Sequence, residues 1–252
     1  MRSERLTASS ADREFTAKLT LPKGAGPFPA VIGIHPANDG SRDHFLFLHL
    51  EALLPPLGVA VARFDRRGND VPFLDQARDV EAVLEALAAR ADIDATRLGL
   101  WGFGQGAWIA PLVASRSSRV AFLILVAATG VSPAEQTRYG TAKAPAAGYS
   151  EPEVDGPLAL RVAREDLDFD PALLIAAVRV PVLLFYGEDD EWQPTDASVA
   201  AWQRAGTREL MVVRLPKTGH APTAAGGTDV ASVLPRYTDT LGAWVRRVAR
   251  TA

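Results

Sequence analysis

Short runs of β-branched and aliphatic residues alternate along this chain with longer Ala- and Leu-rich stretches whose apolar residues recur at helical spacing. The runs predict strands at 15–21, 30–35, 59–64, 98–102, 121–126, 180–186 and 210–215; the stretches predict helices at about 43–56, 75–91, 105–116, 195–205 and 230–250. A β-α-β-α order needs a helical crossover between neighbouring strands, so the expected fold class is α/β, a mostly parallel sheet flanked by helices. Pro22, Gly24, Gly26, Pro27 and Pro29 mark a turn joining an antiparallel N-terminal strand to the parallel core. The rhythm breaks between about 127 and 179, where Pro133, Pro145, Pro152 and Pro157 interrupt polar helix-like stretches. That segment is expected to be a lid insertion over the carboxyl ends of the strands, where open α/β sheets bind ligands, within one domain spanning 1–252.

Composition narrows the partners. The 252 residues are 48% hydrophobic, enough for a substantial core, and carry a formal charge of -3 with no Lys/Arg run. Nucleic acid and membrane surfaces are therefore not expected partners, and a small-molecule substrate is. Without cysteine there can be no disulfide, thiolate metal site or cysteine nucleophile. The N-terminal residues are charged and then polar, which suggests neither a leader nor a span, so the expected compartment is the cytoplasm. A monomer or homodimer is expected.

The chemistry-bearing stretch is "WGFGQGAW", residues 101–108. A strand leads into Gly102-Phe103-Gly104-Gln105-Gly106 and a helix leads out, the setting of the G-x-S-x-G elbow, whose flanking glycines let strand and helix approach and whose central residue takes a positive φ. Here the centre is Gly104, which relieves the strain and lacks a hydroxyl. Downstream, "VPVLLFYGEDDEWQP" puts Asp190 just past a buried strand, and "VVRLPKTGHAP" puts His220 just past the next. Singly, such an Asp is most often a turn residue and such a His structural; in this order, each at a strand's carboxyl end, they match the elbow–acid–histidine sequence of a hydrolase triad.

On these motifs, together with "AVIGIHPANDGSRD" and "VAVARFDRRGND", the chain resembles the α/β-hydrolase superfamily, close to its dienelactone-hydrolase and prolyl-oligopeptidase-like branches, over nearly its whole length. The resemblance implies an eight-stranded sheet and catalytic roles for His220 and Asp190 beside a vacant nucleophile position at Gly104, where relatives carry Ser, Asp or Cys. It also implies an oxyanion hole from the Gln105 backbone N–H and an N–H at Ala37 or Asn38. Pro36 follows His35 where His-Gly is usual, and offers no N–H.

"GFGQGA" lacks the position after a first strand and the following acidic residue that a dinucleotide-binding turn requires, so no cofactor is expected. His35, His44 and His49 lack metal-ligand spacing and read as structural or loop-lining. Asp65, Arg66 and Arg67 read as a loop-stabilising network. Phe103, Trp192, Phe73 and Tyr139 are candidates to line a substrate pocket, although such aromatics are more often core.

Without an oxygen on residue 104, no acyl-enzyme can form there, yet a carboxylate-held imidazole remains a general base. Three readings stay open at this level: an enzyme using His220 and Asp190 for proton transfer, addition or elimination on a small hydrophobic carbonyl compound; a serine esterase, lactonase or peptidase whose nucleophile was changed to Gly; and a binding protein on a hydrolase scaffold.

Overall fold

The computed structural model describes residues 1–68, 71–143, 146, 166–207 and 209–251. Eight strands form one sheet: β1 (Arg2–Ser10), β2 (Arg13–Leu21), β3 (Phe28–Ile34), β4 (Ala60–Phe64), β5 (Ile93–Phe103), β6 (Val120–Val126), β7 (Val182–Gly187) and β8 (Leu210–Leu215). Their spatial order is β1-β2-β4-β3-β5-β6-β7-β8. β1 pairs antiparallel with β2, and β2 antiparallel with β4; from β4 to β8 every pairing is parallel. This is the expected α/β-hydrolase fold.

The described helices are α1 (Phe45–Leu53), α2 (Phe73–Ala88), α3 (Gly106–Arg116), α4 (Pro133–Lys143), α5 (Pro171–Ala177), α6 (Thr195–Arg204) and α7 (Pro235–Thr251). They cover both faces of the sheet, and strand alternation decides which residue serves which face. Leu98 and Leu100 of β5 and Leu123 and Leu125 of β6 join Val80, Val83, Leu84 and Leu87 of α2 and Ile109 and Val113 of α3. The intervening Trp101, Phe103, Phe122, Ile124 and Val126 face the other way, onto Phe47 and Leu50 of α1 and Tyr237, Leu241, Trp244 and Val245 of α7. Each fully buried large side chain contributes roughly 1.5–3 kcal/mol. The Trp101 Nε1–H is satisfied by the Tyr237 hydroxyl at 2.8 Å, as a buried indole requires.

Three elements differ from the sequence pattern. The pattern predicts no strand over Arg2–Ser10, because only Leu6 and Ala8 turn inward and are buried; pairing with β2 and packing on α2 suffice for an edge strand. β5 begins at Ile93, not 98: Asp94, Thr96 and Arg97 bond one another at its start and hide the strand in a polar run. The last helix begins at Pro235 rather than near 230; Leu234 precedes that proline, which disfavours helical backbone there, and a short 3-10 turn at Val230–Ser232 capped by Asp229 fills the gap. Of the expected lid, α4 and α5 are described; Pro145, Pro152 and Pro157 lie outside the described residues.

Candidate active site

The turn between β5 and α3 is held by its glycines. A Cβ on Gly102 would overlap the backbone of Gly106, and one on Gly106 would overlap the carbonyl of Ile34 at the end of β3, so both positions demand the smallest residue. Gly104 between them has φ +53°, left-handed backbone that penalises any residue with a Cβ. Its N–H donates to the Val126 carbonyl at 3.0 Å and its carbonyl accepts from Ala107 N–H at 3.0 Å, which anchors the turn to β6 and to α3.

His220 sits above this turn. An ideal Cβ on Gly104 would lie 3.2 Å from His220 Nε2 and 3.9 Å from Pro36 Cβ. On its other side, His220 Nδ1 lies 3.0 Å from both carboxylate oxygens of Asp190. A carboxylate can only accept, so Nδ1 carries the proton and Nε2 presents its lone pair toward Gly104. Burial works against a charged imidazole here, but the Asp190 charge and hydrogen bond, helped by Glu191, outweigh it and hold the His220 pKa above that of an ordinary histidine. The Phe103 ring lies against the imidazole at a 39° tilt, with centroids 5.1 Å apart.

Asp190 is buried, faces His220 and is at the same time a turn residue. Its Oδ1 accepts from the backbone N–H groups of Trp192 at 2.9 Å and Gln193 at 3.0 Å, an Asx-type turn that fixes the carboxylate toward His220. Gln193 is fully buried and in turn donates to Ser198 Oγ at the start of α6 and to the Ala128 carbonyl after β6. The acid loop is thereby tied to the ends of two neighbouring elements.

The expected pocket aromatics divide. Phe103 touches the imidazole. Tyr139 and Trp192 lie on the acid loop's contact with α4: the Tyr139 hydroxyl lies 3.5 Å from the Asp190 carbonyl oxygen, and the Trp192 ring packs where Gly140 has no side chain, so α4 rests directly on the Asp190 loop. Phe73 is instead a core residue. It opens the apolar face of α2 and packs on Trp108 and Phe169 at 5.2 and 5.3 Å, with 1% of its surface exposed.

Gln105 is the N-cap residue of α3, and the loop of Pro36, Ala37 and Asn38 follows β3 beside the Gly104 turn. The histidines read as structural are so placed. His35 is wedged edge-on between Phe47 and Phe64; His44 caps α1 through Nδ1; His49 bonds the Thr238 hydroxyl at 2.8 Å. Arg67 bridges Asp79 and Asp12, and Asp65 pairs with Arg42. Arg66, grouped with these by sequence, is different: its guanidinium reaches the Pro36 carbonyl and the Gln105 side chain. No spacing rule in the sequence connects these three positions. Among the described residues no helix is long and apolar enough to cross a membrane.

Comparison with known proteins agrees with this architecture. The family model described as BAAT / acyl-CoA thioester hydrolase C terminal matches residues 81–223, more than half of the chain, from α2 to just past His220. Esterase EstD of Thermotoga maritima is 30% identical over 113 residues, which are 40% of this chain but only 27% of that esterase. The chain therefore matches well under a third of that relative's length. Among solved structures, one of two fungal esterases from Rhizomucor miehei superposes with a TM-score of 0.79 at 17% identity, covering 99% of this chain and 84% of that one. The α/β hydrolase GrgF from Penicillium sp. sh18 superposes with a TM-score of 0.75 at 15% identity, covering 99% and 100%. At such identities the two structures speak for the fold. The family match carries the assignment: the chain belongs to the BAAT / acyl-CoA thioester hydrolase C-terminal family and has the α/β-hydrolase fold.

Proposed function

We propose that this protein is an α/β-hydrolase-fold enzyme in which His220, oriented by Asp190, acts as a general base on a small hydrophobic carbonyl compound bound over Gly104, with no covalent acyl-enzyme. The observation that carries the reading is the spacing at the elbow. Nε2 lies 3.2 Å from the Cβ point of Gly104, so the base is aimed at a place where the chain supplies no oxygen for it to deprotonate. The proton must come from the substrate or from a water.

In the proton-transfer form of this chemistry, Nε2 takes a proton from the carbon next to a carbonyl, negative charge moves onto the carbonyl oxygen, and Asp190 stabilises the imidazolium. Backbone N–H groups at Gln105 and at Ala37 or Asn38 receive the charged oxygen. Return of the proton to another atom completes an isomerisation, and loss of a β-substituent completes an elimination. The same base can deprotonate a water for direct attack on the carbonyl. Phe103, Trp192 and Tyr139 supply an apolar wall. Acyl thioesters are a fitting probe class: they are carbonyl compounds with acidic α-protons, and the family description names an acyl-CoA thioester hydrolase.

The test is incubation with short acyl thioesters in deuterated buffer, following α-deuteration and hydrolysis by NMR. The native protein should catalyse at least one of them, and His220→Ala should lower the rate by roughly 10²- to 10⁴-fold. Equal rates for the two folded proteins would defeat the proposal. The second reading, a serine hydrolase lacking its nucleophile, draws on the same spacing, because a Ser at 104 would bring its hydroxyl within reach of Nε2. Under that reading Gly104→Ser should cleave activated esters and be labelled stoichiometrically by a fluorophosphonate, while the native protein leaves thioesters untouched.

A further inference from the structure

We infer that Arg66 is a positioning residue for the oxyanion site, turning the peptide units after β3 so that the N–H groups of Ala37 and Asn38 face the substrate. The inference rests on the reading above, in which charge develops on a substrate oxygen beside Gly104.

Arg66 is held inside the loop that it organises. Its backbone N–H donates to the Gly40 carbonyl at 2.8 Å, and Gly40 has no Cβ where one would lie 3.3 Å from Arg66 Cβ, so residues 36–40 close around it. From there the guanidinium reaches three oxygens of the site among the described residues: Nη1 donates to the Pro36 carbonyl at 2.6 Å and to Gln105 Oε1 at 2.8 Å, and Nη2 donates to the Ala37 carbonyl at 3.0 Å.

The consequence follows from peptide planarity. In a trans peptide unit the C=O and the N–H point in opposite directions. With the carbonyls of Pro36 and Ala37 both drawn onto the guanidinium, the N–H groups of Ala37 and Asn38 point away from it. Pro36 has no N–H to offer, so the two amides that Arg66 orients are the first that the loop after His35 can supply. Pro36 Cβ lies 3.9 Å from the Cβ point of Gly104, which puts this loop at the edge of the space facing Nε2. The third bond reaches the side chain of Gln105, whose backbone is the other proposed donor. One cation thus fixes both halves of the site relative to each other. A guanidinium suits the task because its donors are spread across a rigid plane, whereas an ammonium is a point charge that cannot hold three separated oxygens in fixed directions.

The test combines kinetics with a measurement independent of chemistry. In a Gly104→Ser background, Arg66→Met and Arg66→Lys should each lower kcat for p-nitrophenyl acetate by roughly 10- to 100-fold, somewhat less than loss of a whole donor. KM should stay within about 3-fold, and the pH dependence set by His220 should not move. In the native background, the backbone 15N order parameters of Ala37 and Asn38 should fall from the rigid range of about 0.85 toward about 0.6 in either variant, with those of the β-sheet unchanged. Full activity in Arg66→Lys, or unaltered order parameters at both amides, would overturn the inference. If Gly104→Ser cleaves no ester, the serine-hydrolase reading is what has failed, thioester turnover by the native protein still tests the general base, and the order parameters alone decide whether Arg66 clamps the loop. Should Arg66→Met not fold, Arg66→Lys keeps the charge in place and carries both measurements.

Discussion

Gly187, the last residue of β7, lies so close to Gly219 that a Cβ on it would overlap the Gly219 carbonyl oxygen. The acid loop and the histidine loop therefore touch backbone to backbone. Glu188 N–H donates to the Leu215 carbonyl at 3.0 Å and Asp189 N–H to the Thr218 carbonyl at 3.0 Å. The Asp190–His220 distance is set by this seam as much as by attraction between the side chains.

Gly187→Ala should consequently do more than destabilise. Overpacking costs on the order of 1–3 kcal/mol, and the seam can open only by moving Asp190 from His220. The expected outcome is a lowered melting temperature together with a His220 pKa that falls back toward 6.5 or below, read by NMR titration. Gly206→Ala is the control: Gly206 has φ +67° and open space around it, so it should cost stability through backbone strain and leave His220 unaffected.

The elevated pKa of His220 fixes the sign of two pH dependences. A group whose folded pKa lies above its unfolded value of about 6.5 lends stability that is fully present below 6.5 and fades as pH rises through the folded pKa. General-base activity needs the neutral ring and rises through that same pKa. The rate should therefore grow over the interval in which the pair's contribution to stability declines. Asp190→Asn keeps the burial and loses the charge, so the midpoint of the rate profile should move to lower pH while turnover falls. A midpoint unmoved by Asp190→Asn would show that another group controls the profile.

The sequence carried the site further than it carried the edges of the fold. Gly102, Gly104, Gly106, Asp190 and His220 were legible because each sits at the carboxyl end of a strongly apolar strand, where the pattern is sharpest and few residue types fit. β1 was missed because an edge strand covered on one face needs only Leu6 and Ala8. The packing of Phe73 on Trp108 was not legible, because an aromatic at a helix start looks the same whether it faces a cavity or another ring. Arg66 was grouped with Asp65 and Arg67 because sequence shows a charge cluster and not its direction. Its partners at 36, 37 and 105 come together only when β3, β4 and β5 lie side by side.

Two other histidines should govern acid stability. His35 is buried between Phe47 and Phe64, and burial, with the Arg66 charge, lowers its pKa to about 3; burial lowers that of His49 to about 4. With folded pKa values below the unfolded 6.5, both contribute stability that is present above 6.5 and lost as pH falls toward the folded values. By pH 4.5 the joint loss should be on the order of 3–5 kcal/mol at about 1.4 kcal/mol per pH unit for each group. Urea unfolding between pH 7 and 4.5 measures it. His49→Gln, which can keep a bond to Thr238, should make the slope measurably shallower, and an unchanged slope would mean that His49 titrates normally in the folded protein.

Gly104→Ala isolates the space over the elbow from the chemistry of a hydroxyl. The φ of +53° makes the added Cβ cost roughly 1–2 kcal/mol, a fall in melting temperature of about 2–8 °C for a chain of this size. The methyl carbon would stand 3.2 Å from Nε2, close enough that the imidazole must shift by a few tenths of an ångström. It would also occupy the place from which the base is proposed to take its proton. Thioester turnover or α-deuteration should then fall at least about 10-fold at a temperature where the variant remains folded, a loss larger than stability alone explains. Gly104→Ser bears the same strain and the same Cβ, so any ester cleavage that appears in Ser and not in Ala comes from the oxygen. Native-like turnover in Gly104→Ala would mean that the substrate does not enter the space between Gly104 and His220, and that the missing side chain serves only to relax the turn.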